Sequence, residues 1–241
     1  MSQRLADVTA AILAGGLGTR LRSRIADRPK VLAPVGGQPY LAYLLDQVAD
    51  AGVRTVVLLT GYLADQIRST FGDRYRGLRL MYSPEPSPLG TAGAVRLALP
   101  YLTSSTILLL NGDSYCAASL PEFWEYHQRQ AADLSLVLTE VEDCSRYGCV
   151  HRGSDGRVSR FEEKNSAGGA GWVNAGIYLM NRSLIEEIPV DVPMSLERDM
   201  CPLWADGKRC FGFPSQGRFL DIGTPESYAQ AEAFFTCSES A

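Results

Sequence analysis

The chain is predicted to be a single α/β domain with a mixed, mostly parallel central sheet and helices on both faces. Three observations predict this. Apolar, β-rich runs at 8–14, 54–60, 78–82 and 106–111 alternate with helical patterns at 39–51, 63–71 and 91–99, the rhythm of strands joined by crossover helices. The 241 residues suffice for one large domain with a full core, and no Ser/Gly-rich linker or charge block divides them. The first apolar run also ends on glycines, as a buried strand does where the chain turns.

Taken in order, the segment Val8-Thr9-Ala10-Ala11-Ile12-Leu13-Ala14 stops at Gly15, Gly16 and Gly18, and the remaining three runs of the first half each follow a helical pattern. That half is doubly wound. After Pro121 a helix is expected to run to 132, followed by strand candidates at 134–141, 148–152, 157–162 and 172–180. Ser154-Asp155-Gly156 supplies turn residues between two of them, so the second half is mixed, with hairpins added to the sheet. A helix from Pro225 to Phe235 closes the domain, with Thr224 as its cap and proline at its first position. The residues from Cys237 to Ala241 form a loose tail.

The formal charge of −4 and pI near 5.3 argue against a nucleic-acid partner, which a broad basic excess would signal. Positive charge is concentrated behind the first turn instead: Arg20, Arg22, Arg24, Arg28 and Lys30 lie within eleven residues, opposed only by Asp27. This suits a small polyanion carrying several phosphates. No apolar stretch approaches the roughly 18 residues that cross a bilayer. The opening MSQRLADV lacks the hydrophobic region of a signal peptide. A cytoplasmic chain without a membrane partner is expected. The six cysteines, at 116, 144, 149, 201, 210 and 237, form no Cys-x-x-Cys pair, so they are read as reduced, mostly buried thiols rather than a zinc site or disulfide framework.

The run LAGGLGTRL, Leu13 to Leu21, can be a nucleotide-binding turn of three kinds. A P-loop needs Lys and then Ser or Thr behind its second glycine, where Gly18 is followed by Thr19-Arg20-Leu21. A dinucleotide fingerprint would place its third glycine at Leu21, and no acidic residue closes the next strand. What remains is a glycine turn with a basic cluster, whose backbone N–H groups can cradle phosphates. Glycine used only for its dihedral freedom, and arginines on a solvated face, explain the same letters. Pro29 tips the balance, because its fixed φ holds Lys30 on a defined loop.

Asn111-Gly112-Asp113 ends a strand, where ligands of open α/β sheets sit. Asp221 follows the β-like run Arg218-Phe219-Leu220. Two strand-end aspartates beside a triphosphate make a hard-oxygen site for Mg²⁺, although each also reads as a turn or helix-start residue. Glu162-Glu163-Lys164 closes another strand, offering a lysine to phosphate and a glutamate to sugar hydroxyls, or else a surface ion-pair run. Tyr147-Gly148 and Asn174-Ala175-Gly176 are either tight turns or places of close ligand approach. His127 and His151 stand far from every motif and are read as structural. A phosphate monoester is largely a dianion at neutral pH and attacks without a general base.

With Leu89-Gly90-Thr91-Ala92 and Asp221-Ile222-Gly223-Thr224-Pro225 added, these motifs resemble the sugar-1-phosphate nucleotidylyltransferase family, in family order from Val8 to Phe235. The resemblance implies a single Rossmann-like nucleotidyltransferase domain over 7–237, nucleotide-binding to about 115 and sugar-binding from 116. It implies that Leu13 and Ala14 belong to the nucleotide site and that Gly15, Gly16, Gly18, Thr19 and Arg20 hold the triphosphate, with Gly90 and Thr91 beside the base. Lys30 would neutralise the reacting phosphorus, Asp113 and Asp221 would bind Mg²⁺, and Lys164 would hold the sugar phosphate. Gly148, Glu163 and Asn174 would contact the sugar. Arg20, Lys30, Asp113, Lys164 and Asp221 are thus the implied catalytic set.

Asn165 departs from the proline many relatives carry after the lysine, and no β-helix or acyltransferase extension is expected after Asp221. The Leu-Gly-Thr-Ala-Gly-Ala run at 89–94 and the ending Phe-Leu-Asp-Ile-Gly-Thr-Pro-Glu are similar to guanylyltransferases for mannose-type sugars. That implies GTP and a sugar 1-phosphate as substrates, with D-glycero-α-D-manno-heptose 1-phosphate foremost. Mannose 1-phosphate and UTP- or dTTP-using relatives stay open, as do a noncatalytic nucleotide-sugar-sensing subunit, a dinucleotide enzyme and homo-oligomer formation.

Overall fold

In a computed structural model describing residues 4–16, 18, 21, 27–162 and 169–236, eight strands form the central sheet. Strand β1 (Thr9–Ala14) is buried along nearly its whole length and needs a neighbour on each edge. It finds parallel partners in β4 (Thr55–Thr60) and β7 (Thr106–Asn111). Between β1 and β4 lie the two-residue strands β2 (Pro34–Val35) and β3 (Gln38–Pro39), paired only with each other. Beyond β4 come β6 (Leu78–Pro84), parallel, and the short antiparallel edge β5 (Arg74–Tyr75).

On the other side, β12 (Gly171–Asn181) runs antiparallel between β7 and β9 (Leu134–Val141), and β13 (Cys210–Ser215) pairs parallel with β9. The order is β13-β9-β12-β7-β1-β4-β6-β5, mostly parallel as predicted.

The sheet's period-2 alternation sorts its side chains onto two faces. Ala10, Ile12, Val56, Leu58, Leu108 and Leu110 pack with helices α1 (Tyr40–Asp50), α2 (Ala64–Phe71) and α4 (Leu120–Arg129). Ala11, Val57, Leu59, Ile107 and Leu109 pack with α3 (Gly90–Leu97), α5 (Arg182–Glu187) and α6 (Cys201–Gly207). Each face has its own apolar cluster, so helices cover both.

Several details differ from expectation. The hairpin of β10 (Val150–Arg152) and β11 (Val158–Phe161) forms its own two-stranded sheet instead of extending the large one. Strand β13 was not anticipated, because Gly212 and Pro214 interrupt its pattern; proline is tolerated at a sheet edge, where β13 lies. The closing helix is two helices, α7 (Pro225–Ala229) and α8 (Ala231–Thr236), although Thr224 caps the first as predicted, in a capping box with Ser227. Cys144 and Cys149 are joined in a disulfide, correcting their reading as reduced thiols, while Cys116, Cys201 and Cys210 are free and buried. The tail from Cys237 lies outside the described residues. No helix among the described residues is long and apolar enough to cross a membrane.

Candidate active site

The carboxyl ends of β1, β4, β6 and β7 all point to one edge of the sheet, the place where doubly wound folds bind ligands. Leu13 and Ala14 end β1, and Gly15 then passes between the turn behind β4 and a glutamate behind β6. A Cβ on Gly15 would come within 2.8 Å of Glu85 Oε1 and 3.2 Å of the Gly61 nitrogen. No described residue comes within 4 Å of a Cβ built on Gly16, and Gly18 adopts φ +58°, its carbonyl accepting from the Leu21 N–H at 2.9 Å. Thr19 and Arg20 lie outside the described residues.

Pro29 enters in an extended conformation and caps a 3₁₀ turn at Lys30–Leu32, whose Val31 and Leu32 are buried. The turn aims Lys30 Nζ at Asp113, 2.8 Å from its Oδ2. Asp113 is held by a two-stranded ribbon that the sequence reading did not foresee. Strand β8 (Ser114–Cys116) pairs antiparallel with β14 (Phe219–Asp221), Ser114 opposite Asp221, and the Ile222 N–H donates to the Asp113 carbonyl at 2.9 Å. Residues more than a hundred positions apart in sequence are thereby brought together.

Asp221 accepts from the Gly223 N–H and lies 3.7 Å from the Arg146 guanidinium. Its carboxyl is raised above the ordinary value, first by burial and then by the negative charge of Asp113, with Lys30 opposing both. Two hard-oxygen carboxylates, at the carboxyl edge of the parallel strands, fit Mg²⁺ in donor type and charge.

The sugar motif divides. Asn174 lies where β12 bulges against β9; its Nδ2 donates to the Tyr178 hydroxyl at 2.6 Å and its Oδ1 accepts from the Gly176 N–H at 3.0 Å. Gly176 has φ +79° and presses on Asn111, where a Cβ would meet the Asn111 Cβ at 2.9 Å, so only glycine fits. Gly148 is buried, its N–H donating to the Cys144 carbonyl at 2.9 Å. Glu163 and Lys164 lie outside the described residues, although flanking Glu162 is anchored by its N–H on the Cys149 carbonyl at 2.8 Å. The structure thus brings together Lys30, Asp113 and Asp221, and leaves Arg20 and Lys164 undescribed.

Thr91, at the start of α3, donates from Oγ1 to Glu197 Oε2 at 3.2 Å and accepts from the Leu196 N–H at 2.7 Å. Neighbouring Gly90 takes φ +71° beneath the Met194 backbone. His127 is buried against Ser135 Oγ at 2.9 Å, and burial pushes its pKa down to about 4, so it serves as a structural histidine. His151 pairs with Glu162 at 3.1 Å on the separate hairpin.

Three residues escaped the sequence reading. Glu85 stands at the end of β6, a position that resembled an ordinary loop glutamate between prolines. Arg146 sits between the cysteines. Glu197, on a π-helical turn at Leu196–Met200, belongs to no motif.

A nucleotidyl transferase family model matches residues 9–238. The chain is 37% identical over 223 residues to a D-glycero-alpha-D-manno-heptose 1-phosphate guanylyltransferase from Aneurinibacillus thermoaerophilus, covering 92% of this chain and 96% of the relative. It is 36% identical over 229 residues to a mannose-1-phosphate guanylyltransferase from Mycobacterium tuberculosis, covering 94% of this chain but 64% of that longer protein. Among solved structures, HddC from Yersinia pseudotuberculosis complexed with GMP-PN superposes with a TM-score of 0.84 at 34% identity, covering 95% of this chain and 99% of that one. A Bacillus anthracis crystal structure at 21% identity and TM-score 0.85 shares the fold.

Proposed function

The chain belongs to the nucleotidyl transferase family, and on that premise we propose that it joins the GMP moiety of GTP to D-glycero-α-D-manno-heptose 1-phosphate, releasing pyrophosphate. The observation that carries catalysis is the cluster of Lys30, Asp113 and Asp221 at the carboxyl edge of the parallel strands. An oxygen of the sugar phosphate attacks the α-phosphorus of GTP, and the bond from that phosphorus to the bridging oxygen breaks as pyrophosphate departs. The attacking oxygen is already ionised, so no side chain has to remove a proton.

Lys30 supplies positive charge where the triphosphate turns toward the attacking group, and the glycine turn from Gly15 through Arg20 holds the phosphates. Asp113 and Asp221 would hold Mg²⁺, which when bound neutralises the triphosphate and polarises its oxygens. Lys164 and Glu163, with Gly148 and Asn174, position the sugar phosphate for in-line attack on the α-phosphorus. The reaction uses cytoplasmic nucleoside triphosphate.

Guanine is supported by Glu85. Its Oε2 accepts from the Leu89 N–H at 3.1 Å, and its Oε1 borders the backbone of Gly15 and Gly61. Burial raises its pKa, which marks a carboxylate turned partly out of water. Guanine offers N1–H and an exocyclic amine side by side to such an acceptor, whereas uracil and thymine flank their single N–H with carbonyl oxygens that a carboxylate repels. Glu85→Gln is therefore expected to lower kcat/KM for GTP roughly tenfold or more, the scale of a hydrogen bond to a charged group. UTP and dTTP should suffer less. Equal losses for all nucleotides would remove Glu85 from base choice.

The decisive experiment is pyrophosphate release with Mg²⁺ across five nucleoside triphosphates, each paired with heptose, mannose, glucose and N-acetylglucosamine 1-phosphates. Turnover with GTP and the heptose phosphate above all other pairs is expected. Preference for mannose 1-phosphate would move the sugar assignment, preference for UTP or dTTP the base, and folded but inactive protein would favour a noncatalytic sensing subunit.

A further inference from the structure

Glu197 gathers four donors on one carboxylate. Its Oε2 accepts from the hydroxyls of Thr91 and Ser195, each at 3.2 Å, and its Oε1 accepts from Asn111 Nδ2 at 3.3 Å and the Tyr178 hydroxyl at 3.0 Å. Tyr178 is wholly buried and receives the Asn174 amide in turn. The carboxylate thus touches the start of α3 on one side and the route to the bulged β12 on the other. Between them it holds Asn111, two residues before Asp113. Nothing in the reaction itself requires an acid here, and a carboxylate satisfied on both oxygens makes a poor proton shuttle. Its chemistry is that of an acceptor that dictates which way four polar groups point.

We propose that Glu197 is a positioning residue that fixes the nucleotide-binding and sugar-binding sides of the site to one another, through Thr91 and through Tyr178–Asn174. The inference rests on the assignment of Thr91 to the nucleotide and Asn174 to the sugar phosphate. The two oxygens divide the work. The Thr91 hydroxyl must donate to Oε2, because a carboxylate oxygen only accepts, and with one lone pair already taking the Leu196 N–H its remaining lone pair is turned outward as an acceptor. The Tyr178 hydroxyl must likewise donate to Oε1, which leaves its oxygen to accept from Asn174. This fixes the amide of Asn174, whose oxygen then takes the Gly176 N–H at 3.0 Å.

The division predicts an unequal response to an isosteric change. In Glu197→Gln the amide oxygen must face Tyr178, whose buried hydroxyl proton has that oxygen as its acceptor while its own oxygen takes the Asn174 amide, so the amide nitrogen faces Thr91 and Ser195. Both hydroxyls can turn to accept, Ser195 while already taking the Arg198 N–H at 3.2 Å. The Thr91 proton is then forced outward, reversing the polarity it presents to the nucleotide, while the Tyr178–Asn174 chain survives. Glu197→Ala removes both anchors.

The test is isothermal titration of Mg·GTP and, separately, of the heptose 1-phosphate into wild-type, E197Q and E197A protein, with melting temperature and both KM values recorded alongside. Expected are a loss of nucleotide affinity of roughly tenfold in E197Q with sugar-phosphate affinity kept within about twofold, and losses of both in E197A. Should E197A fail to fold, the E197Q contrast decides alone, since packing is unchanged in that variant. Wild-type affinity for both ligands in E197Q, or equal losses of both, would overturn the coupling while leaving the proposed reaction intact. Wild-type protein binding neither GTP nor any of the four sugar phosphates would overturn the reaction, and the coupling with it.

Discussion

Asp221 concentrates the tension of the site in one residue. Burial and the charge of Asp113 raise its folded pKa above the ordinary carboxylate value of 3.8, so the native state binds a proton at pH values where the unfolded chain has lost it. Stability from this group is therefore lost as pH rises through the window just above that value, and the ionised carboxylate burdens the metal-free fold at neutral pH. Asp221→Asn should raise the melting temperature of metal-free protein at pH 7, with the gain shrinking as pH falls toward 4. Turnover should drop by about a hundredfold, the scale of losing a key electrostatic group. Fluorimetric melts across pH measure the first effect and pyrophosphate release the second. A lower melting temperature for the variant at pH 7 would show that the Arg146 and Gly223 contacts outweigh the repulsion.

At the scale of an element, the loop closed by Cys144 and Cys149 gathers several candidate residues. Within it Arg146 donates to Ser227 Oγ at 3.1 Å beside Asp221, Tyr147 packs edge-on to Phe219 of β14, and Gly148 is tied to Cys144. The carbonyl of Gly169 accepts from the Cys144 N–H at 3.0 Å, so the disulfide also anchors the return of the chain into β12. Closing so short a loop stabilises the fold by roughly 2 kcal/mol in the chain-entropy account. Dithiothreitol supplies the two electrons and two protons that convert the bond into two thiols, itself becoming a cyclic disulfide. Reduction should lower the melting temperature by roughly 4–8 °C and raise KM for the sugar phosphate more than for GTP. The paired variant C144S/C149S should behave as reduced protein and ignore the reagent; identical melts with and without dithiothreitol would show that the loop holds without the bond.

Over the whole molecule, what the sequence disclosed and what it hid follow from the range of the interactions. The strands β1, β4, β6 and β7 were legible because each is a local apolar run, and the cap at Thr224 because it lies within one turn of its helix. Lys30, Asp113 and Asp221 were legible as letters in motifs. Their meeting was not, since it depends on the β8–β14 ribbon and on a 3₁₀ turn that no periodicity announces. Glu85 and Glu197 were hidden for the same reason: their partners lie on other elements, and nothing local marks them.

The same long-range pairing makes a prediction about cooperativity. Strand β12, from the second half of the chain, is hydrogen-bonded along β7, from the first half, and the apolar clusters on both sheet faces draw residues from each. The two halves share one core and should unfold as one. Calorimetry should therefore show a single transition for metal-free protein. Mg·GTP at a hundred times its Kd, contributing about 2.7 kcal/mol by mass action, should move that whole transition upward by roughly 5–11 °C, leaving no unshifted shoulder. A second transition that ignores the nucleotide would mean that the second half of the chain melts independently, against the continuous sheet.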